Sequence, residues 1–160
     1  MFFHMKDMKI SLVIPLKNEE KSVESLLNSI SGQIRLPDEV VIVDAGSEDA
    51  TKKLVSGYKD SKLNIRLVLS EAVYPGVARN IGVKNALHDW IAFTDGGIIL
   101  DGRWLYELSR TAESDPFPEV VYGNYAPKAD TLFKECLSIA FVAPPSAAGC
   151  GMARPRFIAS

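Results

Sequence analysis

Three stretches of this sequence place polar or acidic side chains directly after an apolar run, where a buried strand would end. Trp90-Ile91-Ala92-Phe93-Thr94 delivers Asp95, and Gly96-Gly97 leave bare backbone beside it. Val40-Val41-Ile42-Val43 delivers Asp44, followed by Ala45-Gly46-Ser47. A third run over residues 10–14, broken only by Ser11, stops at Pro15 and opens into Leu16-Lys17-Asn18-Glu19-Glu20. A carboxylate at a strand's carboxyl end can accept a hydrogen bond from a ligand or hold a hard cation. Neighbouring glycines let a ligand approach the backbone closely. Asp is also an ordinary turn former at strand ends, so a shared site requires that the three ends meet.

The intervening segments supply the elements that would bring them together. Val23, Leu26, Leu27 and Ile30 form one helical stripe, ended by Gly32 and followed by Pro37 in a loop. Ser47 is the expected N-cap of a second helix, with Glu48 and Asp49 in its first turn and Ala50, Leu54, Val55 and Tyr58 facing inward. A third strand spans residues 65–69. The loop Tyr74-Pro75-Gly76 then leads to a helix whose small residues Ala78, Gly82 and Ala86 share a stripe, a packing role for Gly82. Asp101 is the expected N-cap of a fourth helix with Trp104, Leu105, Leu108 and Ala112 inward. Pro116 and Pro118 precede a fifth strand over residues 120–125, and residues 131–141 suit a helix; residues 143–160 show no readable period.

Strand–helix alternation at this spacing predicts an α/β fold, a three-layer α/β/α sandwich on a mostly parallel central sheet, with order 3-2-1-4 for the first four strands. Their carboxyl ends then share one edge, with the switch point between strands one and four. Lys17, Asn18, Glu19, Asp44 and Asp95 would surround one crevice.

Composition bounds the rest. The chain has 160 residues, enough for one core, and is read as a tail (1–8) plus a single domain (9–160). A formal charge of -2 gives no footprint for nucleic acid. Cys136 and Cys150 are too few for a disulfide scaffold and lack a zinc-ligand pattern. No signal-peptide plan opens the chain. The uncharged stretch 136–153 is cut by Pro144-Pro145, Gly149 and Gly151, which suits an interfacial or buried irregular segment better than a spanning helix. The expected location is cytoplasmic, with membrane association open.

Other nucleotide folds fail on the turn after strand one. A dinucleotide site needs G-x-G-x-x-G there, and a P-loop needs G-x-x-x-x-G-K-[ST]. A sugar-phosphate nucleotidyltransferase would want a Gly-rich basic turn. Pro15-Leu16-Lys17-Asn18-Glu19-Glu20 contains no glycine.

Four motifs in order do resemble one family. Residues 11–20, Ser-Leu-Val-Ile-Pro-Leu-Lys-Asn-Glu-Glu, resemble the opening of family 2 glycosyltransferases of the GT-A fold. Val43-Asp44-Ala45-Gly46-Ser47-Glu48-Asp49-Ala50-Thr51 is similar to their V-D-x-G-S-x-D-x-T segment, and Gly76-Val77-Ala78-Arg79-Asn80-Ile81-Gly82 to their G-x-A-x-N-x-G helix start. Phe93-Thr94-Asp95 occupies the place of their D-x-D strand. The resemblance implies a nucleotide-diphospho-sugar donor and an acceptor among polysaccharides, lipids or small molecules, reached in solution or at a membrane surface. Pro15, Leu16, Lys17, Asn18 and Glu19 would line the nucleoside pocket, Asp44 would accept from the base, and Gly46 and Ser47 would border it. Gly76, Arg79 and Asn80 would lie near base or phosphates. Asp95, with Gly96, would approach the ribose or a divalent Mn²⁺ or Mg²⁺ on the diphosphate.

Two departures qualify the resemblance. The second D-x-D acid falls on Gly97 and a frequent following acid on Ile98. Either substrate phosphates complete a metal site at Asp95, or Asp95 serves the nucleotide alone. Asp115, Glu119, Asp130 and Glu135 are available acids, but none sits in a recognisable general-base motif. The stretch 152–160 resembles the run before the family's later acidic segment, so the expectation is a donor-side portion whose base lies outside the chain. The alternative is a non-catalytic nucleotide-binding or assembly module of the same fold.

Overall fold

The structure is a computed structural model and describes residues 8–71, 74–114, 118–123 and 155–159. Its centre is the strand β1 (Ile10–Leu16), paired in parallel with β2 (Glu39–Asp44) on one side and β4 (Trp90–Phe93) on the other. Next to β2 runs β3 (Ile65–Leu69), also parallel. The six-stranded order is β3-β2-β1-β4-β6-β5, where β5 is Val120–Tyr122 and β6 is Pro155–Ala159. The expected 3-2-1-4 core is present. The late residues without a readable period supply β6, which pairs antiparallel with both β4 and β5. The fifth strand is thus separated from β4 by the last one, and it stops at Tyr122 rather than at residue 125. The helix expected over 131–141 lies outside the described residues.

Alternation along the strands builds two cores. Ile10, Leu12, Ile14, Leu16, Val40, Ile42 and Ala92 face α1 (Val23–Ser31), α2 (Thr51–Gly57) and α4 (Trp104–Ala112). Val13, Val41, Val43 and Ile91 face α3 (Pro75–Asn85). Both faces of the parallel strands are covered, which is why β1 and β2 are apolar almost throughout. The α1 stripe is buried as its period demands, and Gly32 caps its end.

On the other face the small-residue stripe sets the distance. A Cβ on Gly82 would stand 2.3 Å from Val13 Cγ1 and 3.3 Å from Val43 Cγ2, so α3 lies on the sheet as closely as it does because Gly82 has no side chain. Pro75 is the first helical residue of α3 rather than part of the loop, a position where its missing N–H costs nothing.

Two capping expectations are corrected. Helix α2 begins at Thr51 with Ala50 at the cap and no side-chain cap hydrogen bond; Ser47 is used elsewhere, and Ala50 is exposed while Thr51 takes the buried position. Helix α4 begins at Trp104 with Arg103 at the cap. Asp101 lies one turn earlier, where its Oδ1 accepts from the Arg103 N–H at 2.9 Å and its carbonyl accepts from Trp104.

At the amino edge of the sheet, Glu39 is buried with three donors around it. Ser11 Oγ donates to Oε1 at 2.5 Å, Arg66 Nη2 to Oε2 at 2.7 Å, and the Leu87 N–H also donates to Oε1. This carboxylate ties β1, β2, β3 and the end of α3 together away from the candidate site.

Candidate functional site

The carboxyl ends of β1 and β2 are level, with Leu16 opposite Asp44. The two turns that follow them are laced together. The Asn18 N–H donates to Ser47 Oγ at 2.9 Å, and Asn18 Oδ1 accepts from the Glu48 N–H at 2.9 Å. One residue on, the Glu19 N–H donates to Thr51 Oγ1 at 2.7 Å; next, the Glu20 N–H donates to Asp49 Oδ2 at 3.0 Å while Glu20 Oε2 accepts from Ala50 N–H at 3.1 Å. Asn18 has φ 55°, a left-handed conformation that Asn tolerates better than most residues. Ser47, freed from capping, is the receptor for this turn.

Asp49 is the hub on the β2 side, accepting from both the N–H and the hydroxyl of Thr51. Desolvation opposes its charge, but the hydrogen bonds from Thr51 and from the Glu20 N–H outweigh it and hold its carboxyl below the usual range. Asp49, Thr51 and Glu20 add to the expected site residues by joining the two turns. The Asp-x-Thr spacing, an Asp accepting from the N–H two residues on, was the available signal.

Within this frame sits Asp44, only 2% exposed. Its Oδ2 accepts from the Ser47 N–H at 3.0 Å, and its Oδ1 is buried with no hydrogen-bond partner. Leaving a buried carboxylate oxygen unpaired costs about 1–3 kcal/mol, so it is a strong acceptor awaiting a donor. Gly46 follows at φ 77°, and the Ser70 N–H donates to the Asp44 carbonyl at 2.9 Å. That left-handed φ is what favours glycine at Gly46, since an added Cβ would meet only the Ser70 carbonyl oxygen, at 3.9 Å. Thr94, 1% exposed, holds a second buried unpartnered oxygen at the end of β4.

Beyond β4 the backbone closes on the β1 turn. A Cβ on Gly96 would lie 2.6 Å from Leu16 Cδ2 and 2.8 Å from Glu19 Cγ, so Gly96 is required by close approach. Arg79 Nη2 forms an ion pair with Asp95 Oδ1, joining α3 to the end of β4. Lys17 is exposed on the turn and Pro15 half-buried, while Gly76 and Asn80 are exposed on the first turns of α3. An added Cβ at Gly76 would meet nothing within 4 Å, so no packing demand fixes glycine there.

The expected residues therefore fall into two joined groups. Asn18, Glu19, Asp44, Gly46 and Ser47 form the β1/β2 corner, and Leu16, Glu19, Gly96, Asp95 and Arg79 form the β1/β4 corner. Glu19 belongs to both; its Oε2 accepts from the Ser22 hydroxyl and lies 4.0 Å from where a Gly97 Cβ would stand. Of the acids considered as a base, Glu119 is exposed, and Asp115, Asp130 and Glu135 lie outside the described residues.

The donor set decides what cation this end can hold. Among the described residues no group of three or more His, Cys, Asp or Glu side chains could hold a metal ion. Asp95 offers one carboxylate, already paired with Arg79. That fits a hard cation completed by substrate phosphates and water, and does not fit an all-protein cage.

Comparison with known proteins identifies the family and the fold. The chain is 39% identical over 103 residues to the amylovoran biosynthesis glycosyltransferase AmsB of Erwinia amylovora, covering 62% of this chain and 33% of AmsB. It superposes on TarS 1-349 of S. aureus in complex with UDP-GlcNAc with TM-score 0.60 and 32% identity, covering 66% of this chain and 31% of that one. It also superposes on glucosyl-3-phosphoglycerate synthase of Mycobacterium tuberculosis, bound to Mn²⁺, UDP and glucosyl-3-phosphoglycerate, with TM-score 0.53 and 27% identity over 68% of this chain and 41% of that one. The chain spans 38% or less of the length of AmsB and the next curated relatives, AglE of Haloferax volcanii and EpsJ of Bacillus subtilis. The sheet is of the GT-A type, and the sequence profile of glycosyl transferase family 2 matches residues 11–142. The chain belongs to glycosyl transferase family 2.

Proposed function

We propose that the chain binds a nucleotide-diphospho-sugar at the carboxyl edge of its sheet and serves as the donor side of a glycosyltransferase. The single observation that supports this is Asp44: a buried carboxylate oxygen without a partner at the carboxyl edge of a sheet shared with proteins crystallised with UDP-GlcNAc or with UDP. A base ring N–H satisfies that oxygen. Lys17, Asn18, Glu19, Gly46 and Ser47 line the nucleoside pocket, and the β1/β4 corner with Arg79, Asn80, Gly76, Asp95 and Gly96 takes the ribose and diphosphate. In the reaction the bond from the anomeric carbon to the diphosphate breaks, its electron pair stays on the diphosphate oxygen, and the acceptor oxygen bonds to carbon while losing its proton to a base. Charge developing on the leaving diphosphate must be neutralised, and Arg79, which reaches Asp95 at that corner, is a cation able to do it. A divalent Mn²⁺ or Mg²⁺, when bound, would add to that neutralisation at Asp95.

Acceptor and base are not assigned to residues of this chain. No helix among the described residues is long and apolar enough to cross a membrane, and a cytoplasmic site of action on a soluble or membrane-surface acceptor completes the proposal. A second reading, a nucleotide-binding module without catalysis, is favoured by Gly97 in place of an acid. Calorimetric titration with UDP and GDP, each with and without Mn²⁺, tests the binding half; absence of binding in all four titrations would overturn it. A sugar-release assay with the matching donor then separates enzyme from module.

A further inference from the structure

We propose that Arg79 is an internal cation that competes with divalent metal for Asp95, so that the site takes metal together with a diphosphate rather than ahead of it. The inference rests on the donor reading above and adds to it an order of binding and a residue that enforces it.

The observations concern what already occupies each carboxylate. Arg79 Nη2 is on Asp95 Oδ1, with the two side chains 35% and 33% exposed. The position two residues on, where a second acid would outbid a guanidinium, is Gly97, and the space beside it is approached by Glu19 Oε2. Glu19 is itself engaged by the Ser22 hydroxyl and pressed against Gly96. A metal arriving alone therefore meets one carboxylate neutralised by a guanidinium, and that guanidinium repels it.

A diphosphate reverses both terms. Its oxygens offer the guanidinium a bidentate partner richer in charge than one carboxylate. When Arg79 turns to phosphate, the Asp95 oxygen is released as a ligand and phosphate oxygens are added beside it. By linkage, diphosphate then tightens metal and metal tightens diphosphate by the same factor.

The test uses the whole chain, titrated calorimetrically with Mn²⁺ alone, with UDP alone, and with Mn²⁺ at saturating UDP. The variants are Arg79→Gln, Arg79→Met as a second neutral side chain, and Asp95→Asn, each checked for an intact thermal transition. Arg79→Gln should bind Mn²⁺ alone about tenfold more tightly than the unaltered chain. The same variant should bind UDP alone more weakly, and UDP should tighten its Mn²⁺ binding by a smaller factor. Asp95→Asn should lose the Mn²⁺ gain. Opposite shifts for metal and nucleotide are not what a merely structural residue produces. Unchanged or weaker Mn²⁺ binding in both Arg79 variants, with UDP still bound by the unaltered chain, overturns this inference alone. Failure of the unaltered chain to bind either UDP or GDP overturns the donor reading and this inference with it.

Discussion

The backbone N–H of Asn18 donates to the hydroxyl of Ser47 across 2.9 Å, and Ser47 returns its own N–H to Asp44. One serine thereby fixes the turn after β1 to the carboxylate at the end of β2. Ser47→Ala removes the acceptor for Asn18 and leaves the Asp44 contact, which is made by backbone. The expected loss is about 1 kcal/mol of stability, with a larger proportional loss in nucleotide affinity because the turn after β1 loosens. Urea unfolding alongside UDP titration reads the two effects separately; equal, negligible changes in both would remove Ser47 from the site.

Asn18 carries two duties in that turn, a φ of 55° and an acceptor for the Glu48 N–H. Asn18→Gly keeps the backbone freedom and loses only the acceptor, whereas Asn18→Ala loses both. The alanine variant should be less stable than the glycine variant by about 1 kcal/mol, contrary to the usual order of these residues. If glycine proves the more destabilising, the left-handed turn is not the constraint.

Gly82 tests the packing that brings Arg79 to Asp95. Its Cβ would sit 2.3 Å from Val13 Cγ1, a distance no side chain accepts, so Gly82→Ala must push α3 away from β1. The expected cost is about 1–3 kcal/mol despite the better helix propensity of alanine. Val13→Ala makes room, so the double variant should recover part of the loss. Strict additivity of the two changes in a denaturation cycle would contradict the contact.

Acid should weaken the fold through Glu39. Burial opposes its charge, but hydrogen bonds from Ser11, the Leu87 N–H and Arg66 outweigh burial and hold its carboxyl below the ordinary range. A depressed folded value contributes stability that is present above the unfolded pKa of about 4.3 and disappears as pH falls through the folded value. Glu39→Gln should be less stable near pH 7 by about 1–3 kcal/mol and should show a flatter stability profile below pH 4. Urea midpoints from pH 3 to 7 decide it; parallel profiles would assign the acid sensitivity elsewhere.

Much of this architecture could be read in advance because the signals are local. The α1 stripe, the β2 run and the small-residue face of α3 each state their partner by period alone, and the carboxyl-edge convergence follows from right-handed crossovers. The end of the sheet could not be read. Residues 155–159 have no alternation to announce β6, since their place between β4 and β5 is set by pairing with strands far away in sequence. The capping errors have the same cause. Ser47 is a good N-cap by type, but the Asn18 N–H from another loop took its hydroxyl, a contact no window around Ser47 contains. Likewise Asp95 is legible as a strand-end acid, while its ion pair with Arg79 depends on the packing of α3 against the sheet, which no window around Asp95 contains.

The most direct consequence for specificity comes from Asp44. Its unpaired Oδ1 is an acceptor, and the Ser47 N–H already occupies Oδ2, so the site asks the ligand for one donor. Uracil and guanine each carry a ring N–H on the edge that cytosine and adenine present as a bare nitrogen. A bare nitrogen facing a buried carboxylate leaves two acceptors opposed, and sites built around one hydrogen bond reject ligands lacking it by large factors. UDP or GDP should therefore bind at least about a hundredfold more tightly than CDP and ADP at equal Mn²⁺. Asp44→Asn offers an amide that can donate as well as accept, so the preference should collapse by loss of UDP or GDP affinity and some gain for CDP. Because the substitution removes a buried charge that has only one hydrogen-bonded oxygen, the protein itself should be no less stable by thermal unfolding. Equal binding of UDP and CDP by the unaltered chain would separate Asp44 from base recognition.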